Sequence, residues 1–152
     1  MQAVAKPTQS VVVDTQPRFN VVVAYEDVAT SKRALQTCDL IAKTLGNDVY
    51  VSKSMWKFDV LRMPGMDALA ASDADHADMI ILAAHNDDIP SCVRSLIEHT
   101  PASQNKNPRA LVALLDGLAT TNSGGNGVRY LRDLASQRQM DFFCHTDAED
   151  QA

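Results

Sequence analysis

The sequence has few residues that could cross-link the chain or anchor it in a membrane. Only three of its 152 residues are cysteines. Cys38, Cys92 and Cys144 are widely spaced in apolar surroundings, which is typical of reduced core thiols. No apolar run approaches the roughly 18 to 20 residues of a membrane-spanning helix, and a secretory signal pattern is missing. We therefore expect a cytoplasmic protein that has no membrane partner.

Basic residues are too few and too scattered to bind a polyanion. The chain has 14 lysines and arginines against 19 aspartates and glutamates, which gives a formal net charge of −5. A nucleic-acid site needs a basic row or patch that can neutralise several phosphates. We therefore expect no nucleic-acid partner, and we expect a protein partner or a homodimer instead.

Motifs that identify common enzyme classes are also missing. The chain has no GxSxG nucleophile elbow, no CxxC pair and no HExxH. Its composition, with 45% hydrophobic and 22% charged residues, is nevertheless that of an ordinary folded domain. The sequence therefore favours a binding module over an enzyme.

Short apolar strands alternate with helical patterns from residue 19 onward. This alternation is the signature of βαβ units, which assemble into a parallel sheet with helices on both faces. We predict one doubly wound, flavodoxin-like α/β domain over 19–146, a three-layer sandwich whose five parallel strands have the order 2-1-3-4-5. A flexible leader, 1–18, precedes it, and an acidic tail, 147–152, follows. The predicted strands are 19–25, 48–54, 78–84, 110–115 and 140–144, and residues 11–13 are a candidate edge strand.

Central strands of such a sheet are covered on both faces, so their apolar residues form the core. The predicted core residues are Val21, Val23, Ile80, Ile81, Val112 and Leu114. Thr30 or Ser31 is expected to cap the first helix and Asp88 the third, because these side chains accept hydrogen bonds from free helix amides. The segment 117–127 is too rich in glycine for regular structure, so we interpret it as a mobile loop, with a phosphate cradle as the alternative. The predicted helices are 31–45, 64–77, 90–100 and 128–138.

Ligands of open parallel sheets bind beyond the carboxyl ends of the strands, where the chain order reverses. The predicted order puts this point between the first and third strands. Trp56 is a further candidate because, with Phe58, it could stack on a planar ligand. The alternative is that this aromatic pair covers the core or a partner subunit. The loops that meet at the reversal point contribute the other candidate binding residues: Tyr25, Glu26, Asp27, Thr30, Ser31, His85, Asn86 and Asp116.

The same loops are rich in carboxylates, which are the ligands that a hard divalent cation such as Mg²⁺ prefers. A cation site would use Glu26, Asp27, Asp87 and Asp88, with His85 beside them. The alternative is that these residues form solvated turns. Without a cation, repulsion among close carboxylates favours their protonated forms, so we expect their pKa values to rise.

The order of elements over 19–145 resembles that of flavodoxins and of bacterial response-regulator receiver domains. Receivers carry an acidic pair after the first strand, and Glu26-Asp27 matches it. They also carry a phospho-accepting aspartate after the third strand and a lysine after the fifth. Residues 83–85, Ala-Ala-His, stand where the acceptor should be, and no lysine follows Phe143. The resemblance therefore implies a receiver-like scaffold without aspartyl phosphorylation.

Two further resemblances concern parts of the chain. The segment 77–90 resembles the third strand and helix of flavodoxin-like reductases, but residues 26–31 replace the Ser/Thr- and Gly-rich loop with which flavodoxins hold the FMN phosphate. The segment 20–51 looks like the first strand-helix-strand unit of universal stress proteins. Some of these carry a nucleotide-binding glycine pattern near the position of 117–127, at a different spacing.

Three functional hypotheses result. The first is a non-catalytic regulatory or partner-binding module on a receiver-like scaffold, which the missing motifs favour. The second is an FMN-binding, flavodoxin-like redox protein, with Thr30 and Ser31 on the phosphate and Trp56 on the flavin. The third is a nucleotide-binding module similar to the stress proteins.

Overall fold

The parts of the chain that the structure describes form five strands and five helices, with one or two helices between successive strands. The structure is a computed structural model, and the described residues are 17–86, 88–100, 109–115 and 126–146. The elements are β1 (Arg18–Tyr25), α1 (Val28–Leu45), β2 (Tyr50–Lys57), α2 (Phe58–Leu61), α3 (Met66–Asp75), β3 (Met79–Ala84), α4 (Ser91–Glu98), β4 (Arg109–Leu115), α5 (Asn126–Gln137) and β5 (Met140–Thr146).

The strands pair in parallel in one sheet of order β2-β1-β3-β4-β5. Val23 lies near its centre, opposite Met55 of β2 and Ile81 of β3. Ile81 in turn lies opposite Val112 of β4. β-branched residues suit these positions because a central parallel strand is covered on both faces. The predicted flavodoxin-like α/β fold and its strand order are confirmed.

Successive strand residues point to opposite faces of the sheet, so two apolar clusters form. The larger cluster joins Val22, Ile80, Leu111 and their neighbours to residues of α2, α3, α4 and α5. The smaller cluster joins the alternate strand residues to Ala34 and Cys38 of α1. Helices therefore cover both faces, as a three-layer sandwich requires. The predicted core residues are all buried: Val21, Val23, Ile80, Ile81, Val112 and Leu114.

Asp27 caps α1, and the predicted cap at Thr30 or Ser31 is wrong. The Asp27 carboxylate accepts a hydrogen bond from the Thr30 amide, while the Thr30 hydroxyl accepts one from the Asp27 amide. This reciprocal arrangement is a capping box, in which the third helical residue supports the cap instead of being the cap. Gly46 ends the helix with a φ of 84°, as expected of a glycine at this position.

The remaining helix starts also differ from the prediction. α2 was missed because its four residues are too few to show a helical repeat. α3 begins at Met66, after Gly65 with a φ of 84°, instead of at Pro64. Pro90 precedes α4 without any side-chain cap, so the predicted cap at Asp88 is wrong. The Asp88 amide instead donates to Asn86 Oδ1 at 2.8 Å.

Several predictions concern residues outside the described ranges. They include the leader up to residue 16, with the candidate strand 11–13, and Asp87, Asp116, the segment 117–125 and the tail 147–152. α5 begins at Asn126, so the last two residues of the predicted glycine loop are helical. None of the described helices has the length and apolar character needed to cross a membrane.

Candidate functional site

The carboxyl ends of β1 and β3 lie side by side, and the loops that follow them meet there. Tyr25 is opposite Ala83 in the sheet. The Glu26 amide extends the pairing by donating to the Ala83 carbonyl at 3.0 Å. The next residues of the two loops, Asp27 and His85, are therefore neighbours at the point where the strand order reverses.

Asp27 is held from two sides. Its Oδ1 accepts a hydrogen bond from the Thr30 amide at 3.0 Å, and its Oδ2 lies 2.7 Å from His85 Nε2. The two loops also meet where the His85 amide donates to Glu26 Oε1 at 3.1 Å. We call Glu26, Asp27, Thr30 and His85 the loop cluster, because these contacts join them into one hydrogen-bonded unit.

Thr30 is the buried member of the loop cluster, with only 1% of its surface exposed. Its hydroxyl oxygen accepts from the amides of Glu26 at 3.0 Å and Asp27 at 2.9 Å, and it donates to the Asp27 carbonyl at 2.9 Å. A hydroxyl has one donor and two acceptor positions, so its bonding capacity is used within the protein. Thr30 therefore positions the turn between β1 and α1.

The pKa of the Asp27 carboxyl is lowered from its ordinary value. The largest cause is the hydrogen bond from the Thr30 amide, and the next is the hydrogen bond with the His85 ring. The expectation that carboxylate repulsion would raise this pKa is therefore wrong for Asp27. Each of its oxygens has a partner that stabilises the charged form, and these contacts outweigh the desolvation that raises the pKa.

A cleft of about 530 Å³ lies beside the loop cluster. Four of its lining residues are acidic and one is basic. The basic residue, Arg62, is paired with Asp59 at 2.6 Å. An acidic lining of this kind attracts positively charged groups and repels anions. The lining residues are Glu26, Asp27, Phe58, Asp59, Arg62, Asn86, Asp88 and Pro90.

Sequence reasoning missed the contribution of Asp59 and Arg62 to the cleft. Both follow β2 directly, Asp59 on α2 and Arg62 at its end. One signal could have identified them, since β2 was predicted to lie next to β1 and so to end at the same edge of the sheet. From the end of the second strand, only Trp56 and Phe58 were predicted as candidates, and the charged residues that follow them were not.

Five of the described binding candidates do not line the cleft, and two of these, Thr30 and His85, belong to the loop cluster beside it. Tyr25 packs against the smaller apolar cluster. The Ser31 hydroxyl donates to the Val28 carbonyl of its own helix at 2.7 Å. Trp56 packs against the larger cluster, and its Nε1 donates to Asp73 Oδ2 at 3.0 Å. The arrangement of Trp56 is that of a residue which covers the core.

The described residues contain no group of three or more histidines, cysteines, aspartates or glutamates that could hold a metal ion. Both Asp27 oxygens and Glu26 Oε1 already have hydrogen-bond partners within the loop cluster. Asp87, a further predicted ligand, lies outside the described ranges. The cation site therefore stays a prediction that these residues do not support.

An FMN phosphate at the start of α1 would need amides and hydroxyls that can donate to it. The Thr30 amide donates to Asp27 Oδ1 instead, and the Thr30 hydroxyl donates to the Asp27 carbonyl. The carboxylates of Glu26 and Asp27 would also repel a phosphate. The described residues thus do not fit a flavin phosphate at this position.

Neither a model of a known protein family nor a curated protein matches the sequence. Functional inference consequently depends on the site itself, because a flavodoxin-like fold supports many unrelated functions.

Proposed function

We propose that this protein is a non-catalytic regulatory module that binds a partner on a receiver-like scaffold. The observation that carries the proposal is the place of the Asp27 carboxylate, 3.0 Å from the Thr30 amide and 2.7 Å from the His85 ring. Proteins that bind phosphate at a helix start use such amides for the ligand. In this chain the Asp27 carboxylate accepts the hydrogen bond of the Thr30 amide, so this amide is not available to a bound phosphate. The arrangement favours a fixed loop over a site that binds and releases an anionic substrate.

The charge of the cleft indicates the chemistry of the partner. The carboxylates of Glu26, Asp59 and Asp88 favour a positively charged group, and Phe58 and Pro90 offer apolar surface. Lysine and arginine side chains combine a charged end with an apolar stem, so they suit such a lining. We therefore propose a partner protein that presents basic side chains to the cleft. FMN and nucleotides are anionic, and the same carboxylates oppose their binding.

His85 supports a module that works without phosphorylation. It follows β3 at the place where a receiver would carry its acceptor aspartate, and its ring contacts the carboxylate of Asp27. Control of such a module would come from occupancy of the cleft by the partner.

A titration with tri-arginine peptide, followed by amide NMR, tests the proposal. We expect the amides of Glu26, Asn86 and Asp88 to shift, and we expect the Glu26→Gln/Asp88→Asn variant to lose most of this response. The matched control is Asp39→Asn/Asp67→Asn, which removes the same charge from exposed positions on α1 and α3. The control should respond like the parent protein.

Three outcomes would contradict the proposal. Equal loss of response in both double variants would mean that the peptide senses net charge and not the cleft. Quenching of FMN fluorescence on titration would favour the redox hypothesis. ATP-induced shifts of the cleft amides would favour the nucleotide-binding hypothesis.

A further inference from the structure

β5 is an edge strand whose middle residue is an exposed aromatic. Among the described residues, β5 pairs only with β4. Phe143 is the central residue of Met140–Thr146, and 57% of its surface is exposed. The outer backbone groups of an edge strand can pair with a strand of another chain, and proteins usually protect such edges. An exposed phenylalanine does the opposite, since pairing would remove its ring from water.

The other edge of the sheet carries the usual protection. β2 has Lys53, which is exposed, and Lys57, which is half-buried, on the same face. Lysines on an edge strand oppose pairing with a second chain because the charges must be desolvated or brought together. The two edges thus differ, and β5 is the one suited to association.

The sequence of β5 is complementary to itself when a second copy is reversed. Asp141 and His145 lie two residues before and two residues after Phe143, on the same face of the strand, and all three are exposed. In an antiparallel pair of β5 strands centred on Phe143, the two phenylalanines lie opposite each other. Each Asp141 then lies opposite His145 of the second copy. Aromatic pairs and hydrogen-bonded pairs of a carboxylate with an imidazole can both stabilise antiparallel strands.

The other face of β5 is already covered in part. Phe142 packs against the larger apolar cluster, and the Arg132 guanidinium of α5 lies 5.5 Å from the centroid of its ring. Among the described residues, the face that carries Phe143 is therefore the more exposed face of β5.

We infer that two copies of the chain associate by antiparallel pairing of their β5 strands, which joins the two sheets into one. A twofold axis at Phe143 makes the interface isologous, the usual arrangement in homodimers. The inference does not depend on the proposed function, because it concerns the edge of the sheet and not the cleft. The contact surface of one strand pair is small, so the dimer forms reversibly over the micromolar range.

Sedimentation velocity at increasing protein concentration tests the inference. We expect a monomer–dimer equilibrium in which Phe143→Lys weakens association by about tenfold, because it replaces an aromatic pair with two like charges. The matched control is Tyr50→Lys at the β2 edge, where the tyrosine is 52% exposed. This control should dimerise like the parent protein.

A charge exchange tests the register. Asp141→His and His145→Asp should each weaken the dimer by placing like residues opposite each other. The combined Asp141→His/His145→Asp variant should restore dimerisation, since an aspartate and a histidine again lie opposite each other across the interface. A parent protein that stays monomeric throughout overturns the inference and leaves the edge to a different partner chain. A dimer that Phe143→Lys does not weaken, or an exchange that fails to restore association, also overturns it.

Discussion

Asp27 Oδ2 and His85 Nε2 lie 2.7 Å apart, although the two residues are 58 positions apart in the chain. The contact exists because β1 and β3 are neighbours in the sheet, so the first residues beyond their carboxyl ends meet. It contributes to the lowered pKa of Asp27, and this effect can be measured directly.

Replacing His85 with alanine should raise the pKa of Asp27 only part of the way to its ordinary value. The Thr30 amide, which is the larger cause of the lowering, remains in the variant. The ¹³Cγ chemical shift of Asp27 as a function of pH measures the change. His99→Ala, at an exposed position on the end of α4, is the control and should leave this titration unchanged. An Asp27 pKa that is identical in parent and His85→Ala would show that the contact is absent in solution.

The Asp27→Asn variant should differ from the parent in how its stability depends on pH. Because the folded-state pKa of Asp27 is lowered, its charge stabilises the fold above the unfolded pKa of about 3.9. This stabilisation is lost as pH falls through the folded-state pKa. Asparagine is also a good helix cap, so the substitution mainly removes the charge. Urea unfolding should therefore show a less stable variant at neutral pH and convergence of the two proteins in acid. If the difference in free energy of unfolding between parent and variant is the same at neutral and at acid pH, the charge of Asp27 is not its cause.

Thr30→Val should destabilise the protein by about 1 to 2 kcal/mol, because it leaves the Asp27 amide without its acceptor and the Glu26 amide with the Ala83 carbonyl alone. Valine has nearly the same shape as threonine, so packing changes little. Thr30→Ser keeps the hydroxyl and is the control. In urea unfolding, we expect it to lower the free energy of unfolding less than Thr30→Val does. If both substitutions lower the free energy of unfolding equally, the hydroxyl is not the stabilising group.

Asp73→Ala should free the Trp56 ring from its hydrogen bond. We expect the free energy of unfolding to fall by about 1 kcal/mol. We also expect a red shift of tryptophan emission, since water would replace the carboxylate as the hydrogen-bond partner of the Trp56 ring. The chain contains one tryptophan, so its fluorescence reports this position alone. Asp75→Ala removes an exposed carboxylate from the same helix and should change neither quantity. An emission maximum that is unchanged in Asp73→Ala would contradict the described contact.

Val23→Asp should prevent stable folding or cost more than about 4 kcal/mol, because it buries an unpaired charge at the centre of the sheet. Val23 has no exposed surface, whereas Val28 is 65% exposed at the start of α1. Val28→Asp is therefore the matched control, and a carboxylate at a helix start is favourable. Circular dichroism during thermal unfolding compares the two. A folded Val23→Asp protein with the melting temperature of the parent would contradict the position of β1.

The sequence could predict the strands because their signal is local. The run of β-branched residues in β1 identified a central strand to within one residue of its start at Arg18. The helix cap was harder to predict, since Asp27, Thr30 and Ser31 are all residue types that favour helix starts. Only the backbone conformation decides which of them caps α1. The single turn of α2 gave no periodic signal at all, so Asp59 and Arg62 were missed with it.

The sequence by itself determined the α/β class and the core residues, because continuous apolar runs and helical periods of about 3.6 residues depend on neighbours along the chain. Only the tertiary structure decided how the carboxylates after β1 are paired. The register of β1 against β3 brings His85 to Asp27, and the packing of α3 in the larger cluster brings Asp73 to Trp56 of β2. The direction of the Asp27 pKa shift follows from these contacts. Composition suggested repulsion among acids, whereas distances of about 3 Å to an amide and an imidazole stabilise the charge.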